Sequence, residues 1–72
     1  MPLAVLKVIE GVFSGDEKQR MIEKVSEAMI SVEGETLRDK TVVLLEEVKS
    51  GDWAFGGKTV TTDAVKQARA RR

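Results

Sequence analysis

A chain of 72 residues makes one domain with a small core, marginal unless it is stapled or associates with other copies. It has no cysteine, which excludes disulfides, and no histidine, which excludes the commonest metal sites and His-based catalysis. Twelve Lys and Arg balance twelve Asp and Glu, so the net charge of zero gives no long-range pull towards nucleic acid or an anionic membrane.

The first predicted element is a strand in MPLAVLKVIEG. Leu3, Val5 and Ile9 share one face with Lys7, and Ala4, Leu6 and Val8 share the other. Apolar residues on both faces suit a strand that is covered on both sides. Lys7, on a mostly apolar face, is read as reaching to a rim. Glu10-Gly11 ends the strand.

Next comes an amphipathic helix. Ser14 and Glu17 have the Ser-x-x-Glu spacing of a capping box, and Asp16 and Glu17 suit the positive end of the helix dipole. Met21, Ile22, Val25, Ala28, Met29 and Val32 form the predicted apolar face, and Gly34 the stop. A second strand follows over Thr41 to Val48, again apolar on both sides: Val42 and Leu44 on one, Val43 and Leu45 on the other. Strand, helix, strand predicts a right-handed βαβ unit with parallel strands. SGDW predicts a turn, and WAFGGKTV a short hairpin broken at Gly56-Gly57. A last short helix is expected to be capped by Thr62 or Asp63, with Ala64, Val65 and Ala68 as its apolar side. The closing ARARR is expected to fray.

The expected fold class is therefore α/β: a small β-α-β unit with a C-terminal hairpin and a short terminal helix. One helix cannot cover both faces of a two-stranded sheet. The face left over predicts an oligomer. No apolar run is long enough to span a bilayer, and no basic start precedes a continuous apolar stretch. The expected location is the cytoplasm.

Candidate chemistry centres on Pro2. Removal of Met1, which a small second residue permits, leaves a secondary amine at the head of a buried strand. A neutral amine is a competent general base, and burial or neighbouring cations favour the neutral form. Parallel pairing brings the start of the second strand beside the start of the first. Arg38 and Lys40 precede that strand and would hold an anionic substrate there. Proline is nonetheless ordinary as the first residue of a strand. Glu46 and Glu47 are adjacent on a strand, point to opposite faces and make no acid–base pair. Trp53 suits a pocket wall or an anchor in an oligomer interface. A nucleic-acid reading of the arginine tail stands against the neutral charge of the chain.

MPLAVLKVIEG, the capped helix containing EKVSEAM, and EEVKSGDWAFGGK together resemble the 4-oxalocrotonate tautomerase family, from Pro2 to about Lys58. The resemblance implies a single tautomerase-like domain over 1–72 that assembles as a homohexamer, a trimer of dimers. It implies an isomerase, without metal or cofactor, that uses Pro2 to move a proton in an enol or dienol carboxylate. Trp53 falls where the family lines its pocket with an aromatic. The family's best-known members carry arginines just after the Glu-Gly turn and in the second strand. Here those positions are Val12 (or Phe13) and Val42. The expectation is that Arg38, Lys40 or a tail arginine replaces them. A non-catalytic subunit that works with a partner chain is the alternative.

Overall fold

The computed structural model describes residues 2–71. The expected removal of Met1 and the last tail arginine, Arg72, lie outside the described residues. Strand β1 (Leu3–Ile9) and strand β2 (Val42–Val48) form a parallel pair in the register Leu3 opposite Val42 through Ile9 opposite Val48. Helix α1 (Gly15–Glu33) connects them, followed by a 3-10 helix over Glu35–Lys40. Strands β3 (Trp53–Phe55) and β4 (Lys58–Val60) form an antiparallel hairpin, and helix α2 (Thr62–Ala70) ends the chain. The α/β architecture is the one expected. No helix among the described residues is long and apolar enough to cross a membrane.

Local chemistry explains the boundaries. The Glu17 N–H donates to Ser14 Oγ at 3.1 Å and the Ser14 N–H donates to Glu17 Oε1 at 2.9 Å, which completes the capping box. Gly34 ends α1 with φ +107°, and its N–H donates to Ile30 O at 2.9 Å. Both residues of the hairpin loop, Gly56 and Gly57, have positive φ, as a two-residue primed turn requires.

Three expectations need correction. Val32 was expected on the buried face of α1 and is 89% exposed. At about 100° per residue it stands about 200° round the helix from Ile30, the one buried residue of α1. The N-cap of α2 is Thr61, whose hydroxyl accepts from the Ala64 N–H at 3.2 Å. Thr62 is spent elsewhere: its hydroxyl donates to Glu10 O at 2.6 Å and its N–H to Ser50 Oγ at 2.9 Å. The tail does not fray at Arg69, because α2 runs to Ala70 and Arg69 is anchored. The 3-10 helix has no counterpart in the sequence reading, and it absorbs Thr41, read as the start of the second strand, as its C-cap.

The core is thin. Among the described residues only Ile9 and Ile30, each 5% exposed, are buried apolar residues. Helix α1 packs chiefly on β2, and Lys18 of α1 meets Glu47 of β2 at 3.3 Å. Burial alternates along both strands: Ala4, Leu6, Val8, Val43 and Leu45 are half-buried, whereas Leu3, Val5, Val42 and Leu44 are exposed at 38% or more. The sheet face away from α1 is thus left apolar and uncovered, as the strand pattern predicts. Lys7 and Glu46, opposite each other in the register, continue that face as an ion pair of 3.0 Å.

Candidate active site

Pro2 lies half-buried at the head of β1, and its carbonyl accepts the Val42 N–H at 3.1 Å. That bond adds one rung to the parallel ladder and fixes Pro2 beside the start of β2. The 3-10 helix ends at Lys40, two residues before Val42, so it delivers Arg38 and Lys40 to the Pro2 end of the sheet.

The two cations differ in their engagement. Arg38 is gripped by two carboxylates. Its Nε donates to Glu35 Oε1 at 2.6 Å, its Nη1 to Glu27 Oε2 at 2.5 Å, and its Nη2 to both residues at 3.0 and 3.2 Å. These hydrogen bonds, Glu27's first, hold the guanidinium ionised, and they hold both carboxyls below the usual carboxylate range. Lys40 is exposed and has no ion pair among the described residues.

Trp53 stands at the other end of the strands. With Phe13, Phe55, Val60 and Val65 it walls a cavity of about 280 Å³ that also reaches Lys7, Val8 and Ile9. Seven residues at about 3.3 Å each set Pro2 about 23 Å from Ile9. One copy of the chain therefore does not bring Trp53 to its own Pro2.

Arg69 is the positioned cation that the sequence reading left in a frayed tail. Its Nη1 donates to Val12 O at 3.2 Å and to Glu17 Oε1 at 3.4 Å, and its Nη2 donates to Glu17 Oε2. The guanidinium carbon lies 4.9 Å from the centroid of the Phe13 ring, a cation–π contact. The available signal was spacing: Arg69 is four residues from Val65, on the side of α2 that faces the body of the protein. Val12 and Val42 carry no charge, and Val42 belongs to the uncovered sheet face; among the described residues the guanidinium at the Val12 turn comes from α2.

Arg69 also sets the titration of Glu17. Its hydrogen bond, with a second from the Ser14 N–H, pulls the carboxyl from 4.5 down to about 2. A depressed carboxyl contributes stability that is complete above its unfolded value and is lost as pH falls through the folded one. The thermal stability gap between the parent and Glu17→Gln is therefore expected to be constant from pH 7 to 5 and to close between about pH 4.5 and pH 2. Both side chains are about a third exposed, so added salt should narrow the gap at neutral pH. Melting curves followed by circular dichroism check this; a gap that does not change with pH would mean that neither bond draws on the charge of the carboxylate.

Among the described residues no group of three acidic, cysteine or histidine side chains gathers to hold a metal ion.

Comparison with known proteins places these features in context. The family profile described as tautomerase enzyme matches residues 2–63. The 2-hydroxymuconate tautomerase of Bacillus subtilis is 33% identical over 61 residues, 85% of this chain and 95% of that protein. A probable tautomerase of Campylobacter jejuni is 32% identical over 66 residues, 92% of this chain and 93% of that one. Among solved structures, a 4-oxalocrotonate tautomerase isozyme from Methylibium petroleiphilum superposes with a TM-score of 0.72 at 31% identity, covering 89% of this chain and 97% of that chain. The family match ends at residue 63, so most of α2, with Arg69, lies beyond it.

Proposed function

Because the chain belongs to the tautomerase family, as a 4-oxalocrotonate tautomerase-like isomerase, we propose that Pro2, freed by removal of Met1, is its general base. The substrate is an enol or dienol carboxylate. The neutral ring nitrogen takes the enol hydroxyl proton, the C–O bond becomes a carbonyl as the double bond shifts, and the same nitrogen returns a proton to carbon. One base serves both transfers, so the reaction calls for no cofactor. The observation that carries this reading is Pro2 itself: half-buried, fixed by the Val42 N–H, and one short element away from the unpaired Lys40.

Arg38 and Lys40 hold the carboxylate. Lys40 does so directly, and Arg38 only by giving up a bond to Glu27 or Glu35. Trp53 meets the substrate from a second copy of the chain, since its own Pro2 is a strand length away. The uncovered face of Leu3, Val5, Val42 and Leu44, together with the thin core, supports a closed homo-oligomer, a hexamer built as a trimer of dimers. A cytoplasmic location fits such a small-molecule isomerase.

The test is ketonisation of phenylenolpyruvate by protein whose intact mass lacks Met1. Lys40→Ala is expected to raise KM about ten- to a hundredfold, because a charge-assisted hydrogen bond is lost, and to leave kcat nearly unchanged. Arg38→Ala should have the smaller effect, since that charge is already matched within the chain. No turnover by the processed protein would refute the enzyme reading.

A further inference from the structure

The unpaired edge of β1 leads to Arg69. Because α1 packs chiefly on β2, a groove of about 610 Å³ lies open along β1, with Leu6, Val8, Met21 and Val25 among its apolar lining. Only β2 pairs with β1 among the described residues, so the other edge of β1 has its backbone groups free for a further strand. A second copy fits there by pairing its own β1 antiparallel about a two-fold axis. In such a pair the first residue of one strand lies beside the last residue of the other. The Pro2 of the second copy then arrives at the Glu10–Phe13 corner, where Arg69 stands.

Resting on the proposed function above, we propose that Arg69 is a substrate-binding residue: its guanidinium shares the substrate's carboxylate with the Lys40 of a second copy and holds it for that copy's Pro2.

Three fixed contacts orient the side chain, namely Val12 O, the Glu17 carboxylate and the face of Phe13. Its Nε makes no hydrogen bond among the described residues, and the side chain is 35% exposed. Glu17 takes up Nη1 and Nη2, and a guanidinium held in this way offers its free Nε edge to a second carboxylate with little further loss of freedom. The surroundings reinforce it. The groove is lined by Lys7, Arg20, Lys24 and Arg69 against Glu17 as its one acid. Lys7 is spent on Glu46, but Arg20 and Lys24 have no ion pair among the described residues, so the local field favours an anion. Arg38 is the weaker candidate on the same chemistry, because two carboxylates already occupy it. Phe13 links the parts: it stacks under Arg69 and also walls the aromatic cavity of Trp53. The ligand implied carries a carboxylate next to a flat unsaturated or aromatic body.

The experiment separates holding an anion from holding α2. Processed parent protein, Arg69→Ala, Arg69→Lys and Glu17→Gln are titrated calorimetrically with cinnamate and with its neutral methyl ester, and assayed with phenylenolpyruvate. Light scattering monitors assembly. Arg69→Ala is expected to weaken cinnamate binding and to raise KM by about tenfold or more, with kcat within about threefold and ester binding unchanged. Glu17→Gln removes the competing carboxylate while a glutamine still serves the cap and the Val12 O and Phe13 contacts still orient Arg69, so cinnamate affinity should change by less than about threefold. Equal losses in Arg69→Ala and Glu17→Gln, or equal losses for acid and ester, would reduce Arg69 to a latch and overturn the proposal. So would an Arg69→Ala protein that binds cinnamate like the parent. If Arg69→Ala fails to assemble, Arg69→Lys decides: raised KM in an assembled protein supports the fork, and an unchanged KM overturns it. A parent that binds cinnamate but turns over no enol acid would refute the isomerase reading alone, since the titrations read Arg69 without turnover.

Discussion

Inserting a lysine between Met1 and Pro2, so that Met1 is retained, should abolish ketonisation while leaving fold and assembly intact. The insertion turns the Pro2 nitrogen into a tertiary amide, with neither a basic lone pair nor a proton to return. Loss of a positioned general base costs about 10²- to 10⁴-fold in rate, the largest single effect expected in this protein. The fold is spared because Pro2 precedes β1 and joins the sheet through its carbonyl, which the insertion does not touch. Pro2→Ala is the milder change, since a primary amine remains and part of the activity with it. In the unblocked protein the rate should fall as pH drops and the amine takes up a proton. α-Amino groups titrate near ~8, and half-burial with cations close by disfavours the charged form, so the limb is expected below that value. A blocked protein that works at the parent's rate would leave Pro2 as nothing more than the first residue of a strand.

Leu44→Asp should take the assembly apart and, with it, the activity. Leu44 is 44% exposed in the single chain and lies opposite Val5, at 45%, on the uncovered sheet face. Covering a leucine in an interface is worth about 1.5–3 kcal/mol per copy, and a carboxylate in its place must be desolvated without a partner. In a closed oligomer the penalty recurs in every subunit. Among the described residues the freed chain buries only the apolar residues Ile9 and Ile30, too little to hold 72 residues folded. Light scattering should report small species, and circular dichroism a loss of structure that returns at high protein concentration. Val32→Asp is the matched control. Val32 is 89% exposed near the end of α1, away from the sheet, and its replacement should change stability by less than about 0.5 kcal/mol. A folded, active Leu44→Asp monomer would defeat the assembly argument, and with it the idea that Trp53 reaches Pro2 from another copy.

What the sequence disclosed was mostly local. Ser14 with Glu17, Gly34, and the paired glycines of the hairpin each announce a bond or a dihedral within a few residues, and each holds in the structure. The two-sided apolar pattern of both strands disclosed something larger, a sheet face with nothing in the chain to cover it. The misreadings of Thr62 and Arg69 share one physical cause, competition from distant groups. Thr62 has the chemistry of a cap, but Glu10 and Ser50, remote in the chain, claim it first, and Thr61 caps instead. Arg69 looks like the beginning of a frayed tail until Glu17, Val12 and Phe13 meet around it. Pro2 was legible as a candidate because its chemistry is its own. Its company was not, because the distance between Pro2 and Trp53 depends on how copies of the chain meet.

Glu17 carries two duties that are far apart in the chain: with one carboxylate it closes the first turn of α1, and it receives Arg69 from α2. Helix start and helix end are thereby joined across 52 positions. When α2 lifts, the carboxylate loses its countercharge and the cap loosens with it. When the first turn of α1 opens, α2 loses its mooring. The first turn of α1 and helix α2 are therefore expected to open together, so that the last helix, though outside the βαβ frame, shares the folding fate of the frame's first turn.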